Sequence, residues 1–182
     1  MSGKAPKGLF VPLVTPFHAD ENIDYEGYKR VIDYVIEGGM DGVLVGGTTG
    51  EYHMMSVEER KELIKKGCEI VGGRVHVMAG TGMNTAKATI ELTNYAAECG
   101  AEYALVLPPY YHQTTEEGIY EFFREIAAGS KIGIVIYHTP GATNVELSVP
   151  LIRRLAQIEI CPAKKRGTEV SGGSTALLSR TV

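Results

Sequence analysis

Hydroxyl-bearing side chains follow three of the apolar runs in this chain, at the point where each run ends. They are Thr48 and Thr49 after the second run, Tyr110 and Tyr111 after the fourth, and Tyr137 at the end of the fifth. A hydroxyl both donates and accepts hydrogen bonds, so such residues can hold a polar ligand. Taken singly, a threonine can cap a turn and a tyrosine can pack at a loop or an interface. Their repetition at equivalent strand ends favours a ligand site there.

Two glycine-rich segments lie between these runs, but neither has the pattern of a nucleotide site. Residues 46–51 lack the Lys-Ser/Thr pair of an ATP-binding loop, and residues 80–85 contain only the first two glycines of the dinucleotide pattern. The second segment is more typical of a tight turn in which Asn84 or Thr85 caps the next helix. We therefore predict no nucleotide cofactor.

The cysteines do not indicate a metal centre or a disulfide framework. Cys68, Cys99 and Cys161 are odd in number, and none has a second Cys or a His nearby at metal-ligand spacing. We predict no metal site.

The elements that must position the hydroxyl residues are five short strands alternating with helices. The nearly continuous apolar runs occupy residues 8–14, 42–45, 75–79, 103–107 and 132–137. Amphipathic stretches occupy residues 25–37, 56–71, 85–99, 115–128 and 148–158. One βα unit takes about 30 residues, which is the spacing of these runs. Strands of this composition are typical of a parallel sheet that helices cover on both faces.

Local signals mark where these helices begin and end. Ser56 and Glu59 form the pattern of a capping box. Glycines follow the helices at 38–39, 72–73, 100 and 129, where a left-handed helix cap favours a residue without a Cβ.

Parallel strands linked in this way close either as an open doubly wound sheet or as an eight-stranded barrel. A length of 182 residues favours the open sheet, because a barrel typically needs about 250 residues. The first βα turn, residues 15–20, has no glycine and so lacks the phosphate loop of a nucleotide-binding open sheet.

The composition is that of a soluble globular protein, with 44% hydrophobic and 22% charged residues and a formal net charge of −4. The densest basic cluster is the short run 164–166, so we expect no nucleic-acid partner. No apolar stretch approaches the roughly 20 residues that span a bilayer, and the first residues lack the apolar core of a signal peptide. We expect no membrane association and a cytoplasmic location.

Four motifs in this order resemble the dihydrodipicolinate synthase / N-acetylneuraminate lyase family of pyruvate-dependent class I aldolases. They are Gly47-Thr48-Thr49-Gly50-Glu51, Gly80-Thr81-Gly82-Met83-Asn84, Leu107-Pro108-Pro109-Tyr110-Tyr111 and Ile136-Tyr137-His138-Thr139-Pro140. The resemblance covers about residues 8–159. It implies an α/β fold, an incomplete (β/α)8 TIM barrel with about five to six βα units, in place of the open sheet that length favours. It also implies a homo-oligomer, a dimer or a tetramer, and a reaction without a cofactor.

The resemblance assigns roles to individual residues. A lysine forms an imine (Schiff base) with pyruvate, and the resulting enamine adds to a small aldehyde or 2-keto acid, or the reverse cleavage takes place. Tyr137 transfers a proton, within a hydroxyl relay through Thr48 to Tyr111, which the family contributes across a subunit interface. Thr49 and the neighbouring Gly47 and Thr48 hold the pyruvate carboxylate.

The position of the imine lysine has two alternatives. Counting without gaps from Tyr137 leads to Lys165, whereas matching residues 160–163 to the family's sixth strand leads to Lys164. Pro162 has no N–H for a central strand, which makes this segment a poor sixth strand under either alignment.

The composition of the chain changes near residue 160. Residues 160–182 contain 4 of the 18 basic residues but 1 of the 22 acidic residues, and they show no strand or helix period. We therefore predict a partial barrel domain over residues 1–159 and an aberrant tail or doubtful sixth strand over residues 160–182. A reading-frame shift or fusion scar near residue 160 is our hypothesis for this change.

Two departures from the family leave the second substrate open. Ala142 stands where synthases that use aspartate semialdehyde carry an arginine, and Asn144 stands where glycine is usual. The main prediction is a lyase of the 4-hydroxy-tetrahydrodipicolinate synthase type, with a 2-keto-3-deoxy sugar acid aldolase or an N-acetylneuraminate lyase-like activity as alternatives. A further alternative is an inactive remnant that only self-associates. A metal-dependent aldolase is disfavoured, because the histidines show no ligand spacing with carboxylates.

Overall fold

A computed structural model describes residues 6–158 and the strand Ala176–Ser179. Lys164 and Lys165 lie outside the described residues. The chain forms two compact units. The first consists of Lys7–Gly80 and Tyr95–Glu102, and the second contains Thr81–Asn94 and the described part of Tyr103–Val182.

The first unit has three strands that alternate with helices. Its elements are β1 (Phe10–Pro12), α1 (Tyr25–Glu37), β2 (Gly42–Val45), the 3-10 turns Thr48–Gly50 and Tyr52–Met54, α2 (Val57–Val71), β3 (His76–Gly80) and the last residues of α3 (Ala86–Cys99). β1 pairs with β2 and β2 pairs with β3, both in parallel. This confirms the predicted order of parallel strands joined by helices.

Side-chain caps define where the helices of the first unit begin. The Asp24 carboxylate accepts a hydrogen bond of 2.8 Å from the Gly27 N–H at the start of α1. Ser56 and Glu59 form the predicted capping box, in which each side chain accepts a hydrogen bond from the other residue's N–H. At the other end of α2, Gly72 takes a left-handed conformation with φ of 57°, as the sequence predicts.

The strands of the first unit are buried, as a parallel sheet requires. Every residue of β2 is buried, and so is every residue of β3 after His76. Ile32 on α1 and Leu63 and Ile64 on α2 are also almost completely removed from solvent. Burial of Val, Leu and Ile side chains at this level stabilises the fold by roughly 1.5–3 kcal/mol for each.

The second unit continues the alternation and adds one antiparallel strand. Its elements are the first part of α3, β4 (Tyr103–Val106), α4 (Glu116–Gly129), β5 (Gly133–His138), α5 (Pro140–Thr143), α6 (Val149–Leu155) and β6 (Ala176–Ser179). β4 and β5 pair in parallel, whereas β5 and β6 pair in antiparallel.

An apolar cluster holds the second unit together. Phe122, Phe123 and Ile126 on α4 pack in it with Ile134 on β5 and Leu151 on α6. The rings of Phe122 and Phe123 meet edge to face, with centroids 5.3 Å apart. The amphipathic pattern of α4 thus buries one face of the helix against this cluster.

One expectation from the sequence, a left-handed helix cap at Gly129, is wrong in this unit. β6 lies in the segment predicted to be an aberrant tail or doubtful sixth strand, and its antiparallel direction distinguishes it from a barrel strand. The free edge of β5 offers unpaired N–H and C=O groups, with which a short apolar segment can pair. Gly129 is the last residue of α4 rather than a left-handed cap, since Ser130 is the C-cap. A Cβ at Gly129 would lie 2.9 Å from Ile90 Cδ1, so this glycine permits close packing against α3.

No helix within residues 6–158 is long and apolar enough to span a membrane.

Candidate functional site

The turn after β2 presents two exposed threonine side chains in the first unit. Gly46 has φ of 64°, and the 3-10 turn Thr48–Gly50 follows the buried Gly47. Thr48 and Thr49 are exposed, and their hydroxyls have no hydrogen-bond partner among the residues that the structure describes. The interpretation of these threonines as side-chain caps is therefore wrong. Within the described residues, no protein group occupies either hydroxyl.

Backbone and side-chain hydrogen bonds hold this turn in place. The Gly50 N–H donates to the Gly47 carbonyl at 3.0 Å, and the Glu51 N–H donates to the Thr48 carbonyl at 3.1 Å. The Thr15 hydroxyl donates to the Gly50 carbonyl at 2.9 Å and is buried. The sequence analysis missed Thr15, although it is another hydroxyl residue after a strand. It contacts a carbonyl 35 positions away along the chain, which local patterns do not reveal.

Arg60 on α2 is a second supporting residue that the sequence analysis missed. Its side chain is buried, its Nη2 donates to the Gly80 carbonyl at 3.0 Å, and its Cζ lies 4.8 Å from the centroid of the Tyr52 ring. A signal for it exists, because Arg60 shares the helical spacing of the buried Leu63 and Ile64. An arginine on the apolar stripe of a helix needs polar partners inside the fold.

Tyr137 is the residue next to the end of β5 in the second unit. It is half-buried, and its hydroxyl has no hydrogen-bond partner in the part of the chain that the structure describes. The next residue, His138, lies with its Nε2 3.5 Å from the Glu146 carboxylate. The phenol of Tyr137 is thus unpaired within the described residues, while His138 contacts the loop that follows.

The short helix α5 follows this strand end. Thr143 is buried, and its hydroxyl donates to the Thr139 carbonyl at 3.0 Å and accepts from the Val145 N–H at 3.3 Å. Asn144 takes the left-handed conformation, with φ of 52°. Asparagine is the residue other than glycine that most readily takes this conformation, which accounts for its place here. Ala142 is exposed and adds no charged group.

The tyrosine pair after β4 belongs to the same unit. Tyr110 is half-buried, whereas Tyr111 is 77% exposed and meets the His112 ring edge-on at a centroid distance of 4.8 Å. An aromatic side chain this exposed is free to pack against another molecule.

The segment after β3 forms the turn that the sequence predicts. The Thr85 hydroxyl accepts from the Ala88 N–H at 3.3 Å at the start of α3. The hydroxyls of Thr81 and Thr93 are buried and 2.7 Å apart. These threonines support the turn.

The predicted site residues therefore fall in three places. Gly47, Thr48 and Thr49 share one turn of the first unit. Tyr111 and Tyr137 follow or end neighbouring strands of the second unit. Lys165 and its alternative Lys164 lie outside the residues that the structure describes, so their roles stay predictions.

Parallel strands that helices connect, with hydroxyl residues near their carboxyl ends, define the class of the fold as α/β. A family model for the dihydrodipicolinate synthetase family matches residues 5–174. The chain belongs to this family, as the resemblance of its motifs indicates.

Individual relatives agree with this assignment. The 4-hydroxy-tetrahydrodipicolinate synthase of Methylibium petroleiphilum is 44% identical over 151 residues, which are 83% of this chain and 52% of that protein. The enzyme of the same name from Nitrosospira multiformis is 39% identical over 180 residues, which are 99% of this chain and 60% of that protein.

Solved structures show the same fold. The dihydrodipicolinate synthase of Aquifex aeolicus has a TM-score of 0.81 at 38% identity, covering 90% of this chain and 56% of that one. The enzyme of Acinetobacter baumannii, solved with pyruvate, has a TM-score of 0.82 at 35% identity, covering 87% and 55%. The chain spans about half the length of the curated relatives it matches. Its fold is therefore an incomplete (β/α)8 TIM barrel.

Proposed function

We propose that this chain is a Schiff-base lyase of the 4-hydroxy-tetrahydrodipicolinate synthase type that acts on pyruvate. The observation that carries the proposal is the pair of free hydroxyls on Thr48 and Thr49, in the turn after β2 of a chain that belongs to this family. We also expect the activity in the cytoplasm, as the sequence predicts.

The turn after β2 has the properties that binding of a carboxylate requires. The hydroxyls of Thr48 and Thr49 have no protein partner in the described residues, and Thr15 fixes the carbonyl of Gly50 behind them. Donors that are already in position bind a negative charge without the cost of reorganising. We propose that Thr49 and its neighbours Gly47 and Thr48 hold the carboxylate of pyruvate.

The proposed chemistry begins at the lysine. The neutral amine of Lys165 attacks the C2 carbonyl of pyruvate, and loss of water leaves an imine. The imine accepts the electron pair of a methyl C–H bond as the proton leaves, which forms an enamine. A free lysine has a pKa of about 10.4, so the site must favour the neutral amine before this step can proceed near pH 7.

Tyr137 is the proposed proton-transfer residue. Its free hydroxyl at the end of β5 supports this role. The family resemblance adds a relay through Thr48 to Tyr111, with Tyr111 supplied by a second copy of the chain. The 77% exposure of Tyr111 is consistent with a role between copies, and we propose a homo-oligomer on this basis.

A second candidate concerns the partner that the enamine attacks. Ala142 on α5 offers no charged group to grip a carboxylate, whereas an arginine would bind it with two parallel hydrogen bonds. An aldolase for a 2-keto-3-deoxy sugar acid is therefore the second candidate, beside a synthase that uses aspartate semialdehyde. An Ala142→Arg variant should increase kcat/KM for aspartate semialdehyde, and an unchanged ratio between the two substrates would argue against this role of position 142.

The proposal is tested by the exchange of pyruvate methyl protons in D2O, followed by NMR. Enamine formation exchanges these protons without a second substrate. We expect the chain to accelerate the exchange and Tyr137→Phe to lower the rate about 100-fold, the usual range of a lost acid–base group. Tyr34→Phe is the matched control, because Tyr34 is 79% exposed on α1.

Two results would contradict the proposal. If the unaltered chain exchanges the protons no faster than buffer, the inactive remnant becomes the better interpretation. If Tyr137→Phe and Tyr34→Phe exchange at the same rate as the unaltered chain, Tyr137 does not transfer the proton.

A further inference from the structure

Arg60 is a buried charge inside the first unit. It lies on α2 and is 5% exposed, although arginine is almost never fully buried unless it is paired. Its spacing from Leu63 and Ile64 places it on the apolar stripe of the helix. An apolar residue would fill this position at lower desolvation cost. The charge therefore needs an explanation in the contacts that it makes.

Those contacts join the end of β3 to the second 3-10 turn after β2. Nη2 donates to the carbonyl of Gly80, the last residue of β3, at 3.0 Å. The guanidinium carbon also lies 4.8 Å from the ring centroid of Tyr52, which begins the second 3-10 turn after β2. A guanidinium can donate in its plane and stack through its face at the same time, which a lysine ammonium cannot do.

Tyr52 continues directly from the turn that carries Thr48 and Thr49. Only Glu51, in a left-handed conformation with φ of 60°, separates the first 3-10 turn from Tyr52. Only a short stretch of backbone therefore connects the Tyr52 ring to the threonines. The threonine hydroxyls themselves receive no hydrogen bond from Arg60 among the described residues, and its contacts with Tyr52 and Gly80 give it an indirect route to them.

We propose that Arg60 is a positioning residue that holds the turn of Thr48 and Thr49 in its carboxylate-binding geometry. The inference rests on the proposed function for the identity of the ligand, pyruvate. The claim that Arg60 holds this turn in place rests only on the contacts of Arg60 within the first unit.

The test compares Arg60→Met and Arg60→Lys with the unaltered full-length chain by hydrogen–deuterium exchange and by pyruvate titration. We expect Arg60→Met to speed exchange about tenfold in the peptide that contains residues 46–55, because a hydrogen bond to a charged group is lost. Exchange in β2 should stay unchanged. Arg60→Lys keeps the charge but not the planar stacking, and we expect it to restore less than half of the protection.

Pyruvate affinity should fall in the variant whose exchange is faster, with a Kd about tenfold higher for Arg60→Met. Arg124→Met is the matched control, because Arg124 is exposed on α4 and pairs with Glu121 one helical turn away. It should change neither readout.

Each outcome decides between the hypotheses. Unchanged exchange in residues 46–55 of Arg60→Met overturns the positioning role, and so does faster exchange with unchanged pyruvate affinity. Faster exchange throughout the unit shows a merely structural role and also overturns it. If the unaltered chain binds no pyruvate, the proposed function fails. The hydrogen–deuterium exchange of residues 46–55 alone then decides whether Arg60 holds the turn in place.

Discussion

A methyl group at Gly80 should separate the ends of β2 and β3. A Cβ built on Gly80 overlaps the carbonyl oxygen of Gly46 and lies 2.8 Å from the carbonyl carbon and 3.3 Å from the Gly47 nitrogen. Real Cβ atoms essentially never approach other heavy atoms closer than 3.0 Å. All three contacts are with backbone, so no flexible side chain can move aside. The strand end itself must shift.

The size of the effect follows from this overlap. Inserting one methyl group into a packed region typically destabilises a protein by about 1–3 kcal/mol, and backbone contacts place Gly80→Ala in the upper half, about 2–3 kcal/mol. For a chain of 150–250 residues, 1 kcal/mol lowers the melting temperature by about 2–4 °C. We expect Gly80→Ala to melt about 4–12 °C below the unaltered chain.

Thermal unfolding followed by circular dichroism measures this shift. Gly141→Ala is the matched control, since a Cβ there has no heavy atom within 4 Å and its φ is not positive. It should melt within about 2 °C of the unaltered chain. If Gly80→Ala also melts within this range, the close approach of β2 and β3 at Gly46 and Gly80 is not as described.

Three further predictions concern the helices. Ser56→Ala removes the acceptor of the Glu59 N–H in the capping box and should destabilise the chain by about 1 kcal/mol, seen as a lower melting temperature. A hydrogen bond from Lys29 lowers the pKa of Asp33. The stabilising effect of the ionised Asp33 carboxylate is therefore present above the ordinary aspartate pKa and is lost as the pH falls below that pKa. Asp33→Asn should therefore flatten the fall of melting temperature between about pH 5 and pH 2, and an identical acid profile would contradict this. Burial raises the pKa of the Cys68 thiol to about 12, so iodoacetamide at pH 8 should modify Cys68 after unfolding but not before, as peptide mass mapping can show.

Local patterns predicted most of the elements. α2 begins where Ser56 and Glu59 indicate, because a capping box is formed within four consecutive residues and does not depend on the rest of the fold. The prediction for Gly129 was wrong because its role depends on residues that are distant along the chain. A glycine after a helical stretch fits both a left-handed cap and a close helix contact, and only the position of Ile90 on α3 distinguishes them.

The supports of the site were harder to predict than the site residues. Thr48 and Thr49 stand out because they lie within four residues of the end of a strand. Thr15 and Arg60 act through the carbonyls of residues 35 and 20 positions away, and the pairing of distant strand ends is not encoded in any short motif. The available signal for Arg60 was its helical spacing from the buried Leu63 and Ile64. This spacing indicates that Arg60 is buried but does not identify its hydrogen-bond partner.

The formation of a lysine imine is the central claim about this chain, and reductive trapping tests it most directly. The full chain is incubated with pyruvate and borohydride, and the peptides are mapped by mass spectrometry, with Lys164→Ala and Lys165→Ala in parallel. We predict a pyruvyl adduct on Lys165 that Lys164→Ala retains and Lys165→Ala loses. An adduct on Lys164 would instead support the alternative alignment of the sixth strand, and the absence of any adduct would contradict the Schiff-base function of this chain.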